Sequence, residues 1–292
     1  MGTARPLVSV IVPAYRADAF IADALRSILA QQHAPPFEVI VAPDDGADYR
    51  ALRGPRVRVL APDGHHGVSH ARNRAIDAAR GELLALCDAD DLWPPNYLHE
   101  LAPLARDHGA ACATTVYLGW DGAPFRRVAL HGPRLRMQEY ARCLASIRPL
   151  WRRDAGPRFQ PVFAEDVLHT LHLVALRREG LPIARATRYL LRERRGSASY
   201  SGSAGQRRII DAYASLIETV RSDPTRVGLA NLPPAQRTRI AEALEFWRYV
   251  NLAYLERADA EGFMRFVNGR EAELWERFLQ AAARYPSAAP LR

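Results

Sequence analysis

The segment LLALCDADD places three carboxylates directly behind a short apolar run. Residues 83–87 have the composition of a buried strand, and Asp88, Asp90 and Asp91 follow at once. Carboxylates repel one another and are costly to crowd away from water. A divalent cation such as Mg²⁺ or Mn²⁺ relieves this repulsion, because it takes oxygen ligands and often bridges carboxylates to substrate phosphates. The alternative is a turn and helix cap before the two prolines at 94 and 95, for which one carboxylate suffices.

Other residues that could bind metals or react are less organised. The three cysteines are widely spaced and lack paired metal-ligand spacing, so we interpret them as small buried side chains. His65 and His66 precede a helix rather than sharing one of its faces, which favours a role in the loop. His169 and His172 lie about one turn apart in a later helix and are more typical of core or surface positions.

The elements that must position the aspartates alternate between strand and helix. Short β-branched apolar runs predict strands, and apolar residues at helical spacing predict helices. Asp18 precedes the first helix and is predicted to cap it. The predicted strands are 7–12, 37–42, 57–60, 83–87 and 111–120, and the predicted helices are 19–32, 68–80 and 95–109.

This alternation predicts an α/β fold with a mainly parallel sheet flanked by helices. Ligands of such sheets bind outside the carboxyl ends of the strands. The loops after Val12, Ala42 and Cys87 are therefore expected at one shared edge. Since the three aspartates stand in the last of these loops, the pattern places them beside a cleft.

The remainder of the chain is less regular. Residues 148–161 are rich in Arg, Pro and Gly and predict a loop, whereas the Gly/Ser-rich residues 194–206 predict a mobile linker. We divide the chain into a catalytic domain, 1–203, and an α-helical C-terminal region, 204–292. Further predictions are a helix over 163–180, a strand over 183–193, and amphipathic helices over 207–221, 234–257 and 259–284.

Composition restricts the class of protein. The chain has 292 residues, 48% of them hydrophobic, and its net charge of +8 comes with no lysine at all. Arginine attracts nucleotide phosphates, lipid headgroups or nucleic acid, but the arginines are dispersed rather than grouped in a recognition helix. No apolar run approaches the roughly 20 residues that span a bilayer, and the first residues lack a signal-peptide pattern. We expect a cytoplasmic protein, with peripheral contact at the inner face of the membrane as an alternative.

Four segments, in this order, resemble the family 2 glycosyltransferases of the GT-A fold. They are SVIVPAY, FEVIVAPDDGAD, GHHGVSHARNRAIDAARGELLALCDADDLW and GPRFQPVFAED. The family pattern is a strand ending in Pro-x-Tyr, an Asp-Asp-Gly-Ser-type loop, Gly-x-x-x-Ala-Arg-Asn, Asp-x-Asp-Asp and a later Glu-Asp. The resemblance covers residues 7–200 and is most specific over 67–93. It implies a Rossmann-like domain that transfers a sugar, with inversion, from a nucleotide-diphosphate donor.

The resemblance also implies a nucleobase site. Pro13, Ala14 and Tyr15 would form its wall. An alignment without a gap gives Asp44 the position of the base-reading aspartate, and a shift by one residue gives it to Asp45. We prefer Asp44, which makes UDP the expected nucleotide, with GDP and dTDP as alternatives.

A phosphate and metal site follows from the same resemblance. Asp88 would contact the ribose or base, and Asp90, beyond Ala89, would ligate Mn²⁺ or Mg²⁺ between the donor phosphates. Arg72 would face the nucleotide, since its planar fork matches oxyanions. Arg192 would close over the diphosphate together with Ser197 and Ser199, unless that segment is only a linker.

The general base is implied at the Glu-Asp pair. Asp166 would take the proton from the acceptor hydroxyl, while the alternative for Glu165 and Asp166 is capping of the helix that they begin. The Gln-x-x-Arg-Trp motif of processive members is missing, which favours a non-processive enzyme. The rival classes are a nucleotidyltransferase, which lacks its Gly-rich phosphate loop here, and a nucleic-acid-binding protein.

The acceptor and protein partners are less determined. The acceptor is expected to be a saccharide or a lipid-linked molecule, bound by the region from about residue 120 to 161. Aromatic and apolar residues recur at helical spacing in the C-terminal helices. They predict packing on the catalytic domain or a homodimer surface, and contact with an anionic membrane is the alternative.

Overall fold

The computed structural model describes residues 5–119, 121–193, 202–257 and 262–284. Its strands, in chain order, are β1 (Val8–Ala14), β2 (Phe37–Pro43), β3 (Val57–Val59), β4 (Leu83–Leu86), β5 (Ala110–Leu118), β6 (Pro124–Arg127), β7 (Arg134–Leu135), β8 (Leu150–Arg152) and β9 (Leu181–Arg192). Its α-helices are α1 (Ile21–Leu29), α2 (Val68–Ala78), α3 (Tyr97–His108), α4 (Met137–Cys143), α5 (Glu165–Ala175), α6 (Gly202–Ser222), α7 (Pro234–Glu256), α8 (Phe263–Val267) and α9 (Glu271–Arg284).

The chain divides into two compact units. The first comprises residues 1–117, 147–161 and 181–192, and the second comprises 118–146, 162–180 and 193–292. The predicted boundary after residue 203 falls inside the second unit, and as a statement about domains it stays a prediction.

The first unit is built on a twisted sheet with the strand order β3-β2-β1-β4-β8-β5-β9. Strands β3, β2, β1 and β4 are mutually parallel, in register from Val8 opposite Phe37 to Ala14 opposite Pro43. All residues of β1, β2 and β4 are buried, as expected for parallel strands covered on both faces. The predicted α/β fold is therefore confirmed.

Strand β8 is a feature that the sequence analysis missed. It lies between β4 and β5 and is antiparallel to both, whereas residues 148–161 were predicted to be a loop. The strand has only three residues, too few for a hydrophobic period to be visible beside the arginines and prolines around it. The sheet is consequently mixed on this side.

Two predicted helix boundaries are wrong. Helix α1 begins at Ile21 after Phe20 and has no side-chain cap, so Asp18 lies in the preceding turn rather than at the cap. The helix predicted over 259–284 is two helices, α8 and α9. Gly269 lies between them with a φ of 76°, a left-handed conformation that interrupts a helix and favours glycine.

The second unit is mainly helical. Trp247 of α7 donates its indole N–H to the carbonyl of Ala141 in α4 at 3.1 Å, and its neighbour Phe246 packs edge-on against Trp275 of α9. Helix α6 starts at Gly202, inside the stretch predicted to be a linker, and residues 194–201 lie outside the described part of the chain. Among the helices described here, none is both long and apolar enough to cross a bilayer.

Candidate active site

The carboxyl ends of β1, β2 and β4 meet at one edge of the sheet in the first unit. Pro13 pairs with Ala42, and Ile11 pairs with Leu86. The loops that follow these strands therefore leave the sheet side by side, as the parallel order predicts. The residues predicted to bind the nucleotide, from Pro13 to Asp90 in chain order, lie on or next to these loops.

Asp88 stands at the centre of this edge between two arginines. Its Oδ1 accepts a hydrogen bond from Arg72 Nη2 at 2.9 Å, and its Oδ2 accepts from Arg148 Nη2 at 2.7 Å and Nε at 3.2 Å. The side chain of Arg72 is 3% exposed, that of Arg148 8% and that of Asp88 17%. Burial disfavours the charged carboxylate, but the two guanidinium charges outweigh it and hold the pKa of Asp88 well below its usual range.

Asp91 is buried and serves as a hydrogen-bond acceptor for β9. Its Oδ2 accepts from the hydroxyl of Tyr189 at 2.7 Å, and its Oδ1 accepts from the backbone N–H of Arg192 at 2.9 Å. The Tyr189 hydroxyl in turn accepts from the backbone N–H of Asp88 at 3.1 Å. Burial and the neighbouring charges of Asp90 and Asp88 raise the pKa of Asp91. The third aspartate of the motif thus ties the loop to a strand about a hundred residues away.

Asp90 is half-buried and Ala89 is buried between the two tethered aspartates. Arg192 donates through Nε to the carbonyl oxygen of Asp90 and through Nη1 to Asp23 of α1 at 3.3 Å. These contacts hold the side chain of Arg192 between the Asp88–Asp91 loop and helix α1. A carboxylate held on such a frame has the chemistry of a hard-cation ligand.

Asp44 organises the turn before α2. Its Oδ1 accepts from the backbone N–H groups of His66 at 2.9 Å and Gly67 at 3.0 Å, and its side chain is 4% exposed. Gly67 has a φ of 93°, a backbone conformation that is strained for any residue with a side chain. The ring of His65 approaches the same carboxylate and stacks on Tyr15 with centroids 4.7 Å apart.

Asp45, the alternative to Asp44, is engaged elsewhere. It accepts hydrogen bonds from the backbone N–H of Arg16 at 2.6 Å and from the hydroxyl of Tyr49 at 2.9 Å. Burial opposes ionisation, yet these donors lower the pKa of Asp45. Asp45 thus stabilises the loop through these hydrogen bonds. Of the two aspartates, only Asp44 contacts the ring of His65, which stacks on Tyr15.

An exposed cluster of Asp63, His66 and His70 lies beside this turn. One ligand atom from each residue lies within 4.8 Å of the others. Arg74 donates to Asp63 at 2.7 Å, and His70 Nε2 lies 2.9 Å from the same carboxylate. These contacts within the protein already balance the charge of Asp63, in keeping with the loop role predicted for His66.

Asp166 belongs to the second unit and is the second residue of α5. The helix begins after Ala164, which has a φ of 56°. The carboxylate of Asp166 accepts a hydrogen bond from the hydroxyl of Ser146 at 3.1 Å. Burial and the charges of Asp166 and Glu165 raise the pKa of Tyr213 in α6, so the start of α5 is an electronegative point of this unit.

Several residues that contact the candidate site, or a residue next to it, escaped sequence reasoning. Arg148 lies 60 residues from Asp88 in a segment interpreted as a loop, and nothing local distinguishes it from the other arginines. Nothing in the sequence signals the hydrogen bond between Tyr189 and Asp91. Asn73, which exchanges hydrogen bonds with the backbone of Phe159 at 2.8 and 3.0 Å, follows Arg72 in the motif and could have been noticed there.

Comparison with known families decides the class of this site. The profile of Glycosyl transferase family 2 matches residues 9–160, which include β1, the Asp44 turn, α2 and the Asp88–Asp91 loop. The chain belongs to glycosyl transferase family 2. The predicted membership of this family is thereby confirmed.

Two bacterial proteins that are named as glycosyltransferases match part of this chain. TuaG of Bacillus subtilis, named for teichuronic acid biosynthesis, is 32% identical over 139 residues, which are 44% of this chain and 54% of TuaG. WfgD of Escherichia coli, named a UDP-Glc:α-D-GlcNAc-diphosphoundecaprenol β-1,3-glucosyltransferase, is 35% identical over 97 residues, 32% of this chain and 38% of WfgD. The matched segment thus spans about half or less of these relatives.

Solved structures extend the similarity in fold over nearly the whole chain. Residues 1–349 of Staphylococcus aureus TarS, crystallised with UDP-GlcNAc, match with a TM-score of 0.61 and 20% identity, covering 97% of this chain and 81% of TarS 1–349. The Pyrobaculum calidifontis mannosyltransferase PcManGT, in complex with GDP-Man and Mn²⁺, matches with a TM-score of 0.52 and 18% identity, covering 97% and 82%. At this identity the likeness establishes the GT-A fold.

Proposed function

We propose that the protein is a metal-dependent, inverting glycosyltransferase that moves a sugar from a UDP-sugar to an acceptor hydroxyl in polysaccharide or cell-envelope synthesis. The observation that carries this proposal is the Asp88–Asp91 loop. It stands at the carboxyl ends of the parallel strands, beside the turn where His65 contacts both Tyr15 and Asp44. The Tyr15 ring and the Asp44 carboxylate suit a nucleobase, Asp88 suits the ribose hydroxyls, and Asp90 suits a divalent cation that would bind the diphosphate.

The nucleobase part rests on β1 and the Asp44 turn. Pro13 and Ala14 are buried and form the floor of the edge, whereas Tyr15 is 38% exposed and offers a ring for stacking. Asp44 is the candidate acceptor for an N–H of the base. Stacking and one charged hydrogen bond are a common way to hold a flat heterocycle.

The sugar and phosphate part rests on the aspartate loop. Arg72 is buried, so we assign it to the orientation of Asp88, whose carboxylate would receive the ribose hydroxyls. Asp90 is the residue that would hold Mn²⁺ or Mg²⁺, since it is a half-buried carboxylate between two tethered neighbours. A bound divalent cation would neutralise the diphosphate as it becomes the leaving group. Arg192, tied to the carbonyl of Asp90, would follow any movement of this loop.

Asp166 is the candidate general base. A carboxylate in the first turn of a helix is stabilised as the anion, and the Ser146 hydroxyl orients one of its oxygens. In the ionised form it can accept the proton of the acceptor hydroxyl as that oxygen attacks the anomeric carbon. The names of WfgD and TuaG support a saccharide or lipid-linked acceptor.

Calorimetry and turnover test the proposal together. UDP is expected to bind the full chain in Mn²⁺ or Mg²⁺ and to lose most of its affinity in EDTA. Asp90→Asn should abolish the metal dependence, whereas the control Asp77→Asn, on the outer face of α2, should not. Asp166→Asn should bind UDP normally yet fail to transfer sugar. Metal-independent binding of UDP by the wild type would refute the role of Asp90, and near-normal turnover by Asp166→Asn would remove that residue from catalysis.

A further inference from the structure

The exposed face of Tyr15 is covered by a histidine. The imidazole of His65 lies over the Tyr15 ring with centroids 4.7 Å apart and planes inclined by 29°. This is the geometry in which a nucleobase stacks on an aromatic side chain. The His65 side chain is itself 60% exposed, so solvent surrounds much of the ring and leaves room for it to move.

The same imidazole contacts Asp44. His65 Nδ1 lies 3.1 Å from Asp44 Oδ2 and 2.8 Å from the carbonyl oxygen of Asp44. Both neighbours are hydrogen-bond acceptors, so Nδ1 carries the proton and donates. The other carboxylate oxygen, Oδ1, accepts from the backbone N–H groups of His66 and Gly67. The carboxylate therefore stays in place when the His65 ring leaves.

We propose that His65 is a placeholder for the nucleobase. With the site open, its imidazole stacks on Tyr15 and donates Nδ1–H to Asp44 Oδ2. On binding, the base displaces the ring and takes over both contacts. This inference rests on the proposed function and adds to it a residue that lowers the apparent affinity of the donor site for nucleotides.

Replacement of the His65 imidazole at Asp44 requires a base that has an N–H on its Watson–Crick edge. Uracil and thymine offer an N3–H, and guanine offers an N1–H, each of which can replace the imidazole N–H on Asp44. Cytosine N3 and adenine N1 present a lone pair, which the Asp44 carboxylate repels. Donors built on UDP, dTDP or GDP are therefore expected to compete with His65, and those built on CDP are not.

The self-contact lowers the apparent affinity for the nucleotide. A ligand that must first displace an internal group binds more weakly, in proportion to the fraction of molecules already open. An aromatic stack of this kind corresponds to roughly a two- to tenfold factor. Removal of the ring is accordingly expected to tighten binding, although it removes an aromatic side chain from beside the site.

The test is calorimetric titration of the full chain with UDP, GDP and CDP in Mn²⁺, for wild type, His65→Ala and His65→Phe. His65→Ala should bind UDP and GDP roughly three- to tenfold more tightly than wild type, with CDP the weakest ligand throughout. His65→Phe keeps a ring for Tyr15 but no N–H for Asp44, and should lie between the two. The matched control is His99→Ala, an exposed histidine on α3 that touches neither Tyr15 nor Asp44, and it should leave all affinities unchanged.

Each outcome is decisive once circular dichroism shows that the variants are folded. Weaker binding of UDP by His65→Ala overturns the inference, because His65 would then be a second wall that sandwiches the base. Unchanged affinity, or CDP binding as tightly as UDP, also overturns it. Those results leave the proposed function standing, whereas failure of wild type and both variants to bind any nucleotide overturns the two together.

Discussion

The charge balance around Asp88 yields the sharpest prediction. Asp88→Asn preserves the shape of the side chain but removes a carboxylate that accepts hydrogen bonds from both Arg72 and Arg148. Since the substitution is isosteric, it opens no cavity, and its effect on stability reports electrostatics alone. We expect a marked loss of unfolding free energy in the absence of any ligand.

The magnitude follows from the contacts. Opposite unit charges about 4 Å apart attract by about 4 kcal/mol at an effective dielectric constant of about 20. Loss of one partner from a buried ion pair costs about 3–5 kcal/mol, because the remaining charge has no compensation. Asparagine keeps one acceptor oxygen for the guanidinium groups, so we expect a loss of about 3–4 kcal/mol. Arg148→Gln leaves Asp88 paired with Arg72 and should cost about 2 kcal/mol or less.

Urea denaturation followed by circular dichroism measures both values, with the m-value as a check that the denatured state is unchanged. The matched control is Asp77→Asn, which breaks the exposed Asp77–Arg158 pair of α2 and should cost less than about 1 kcal/mol. A loss below about 1 kcal/mol for Asp88→Asn would refute the electrostatic account. So would a larger loss for Arg148→Gln than for Asp88→Asn, since the order of the two variants depends on charge balance.

Three further predictions concern the frame around the site. A Cβ atom on Gly81 would lie 2.6 Å from a backbone nitrogen of β1, so Gly81→Ala should lower stability by about 1–3 kcal/mol in urea titrations, whereas Gly54→Ala, with open space around it, should be nearly neutral. Burial lowers the pKa of His172 from 6.5 to about 4. Between these two pH values His172 is therefore mostly protonated in the unfolded chain and mostly neutral in the folded chain. Stability should therefore fall from pH 6.5 to pH 4 by at most about 3 kcal/mol, and His172→Gln should flatten that part of the pH profile; an unchanged slope would contradict the assignment. Arg126 is buried and donates to two carbonyl oxygens at the end of α4 and to a carboxylate of α9. Arg126→Gln should cost on the order of 3 kcal/mol by thermal or urea unfolding, and the exposed neighbour Arg127→Gln should cost almost nothing.

The first half of the fold was predictable because its signals are local. Continuous apolar runs at β1, β2 and β4 are typical of strands buried on both faces, and the helical period of α2 and α3 lies within single windows. The shared edge then follows from handedness and parallel order alone. Strand β8 was not predictable, because three residues carry no period and its pairing is set by tertiary contacts.

The candidate site divides in the same way. Asp88, Asp90 and Asp91 could be found because they stand together in sequence, next to a strand. Their partners could not, since Arg148 and Tyr189 reach them across 60 and about 100 residues. The family resemblance gave Asp88 and Asp90 different roles and Asp91 none, whereas the structure shows different protein partners for each of the three aspartates.

That division of partners explains how the loop tolerates three acids. Asp88 is compensated by two buried guanidinium groups, and Asp91 by a tyrosine hydroxyl and a backbone N–H, so neither depends on a cation for its place. Asp90 is half-buried between these two residues, and its backbone carbonyl oxygen accepts a hydrogen bond from Arg192. The crowding of carboxylates affects the pKa of Asp91: the negative charge of Asp90 raises it, and a positive ion bound at Asp90 would lower it again. Asp88 and Asp91 therefore have their partners before any ligand arrives. On the proposed assignment of the cation to Asp90, Asp90→Asn should remove metal binding without unfolding the protein, whereas Asp88→Asn should weaken the fold itself.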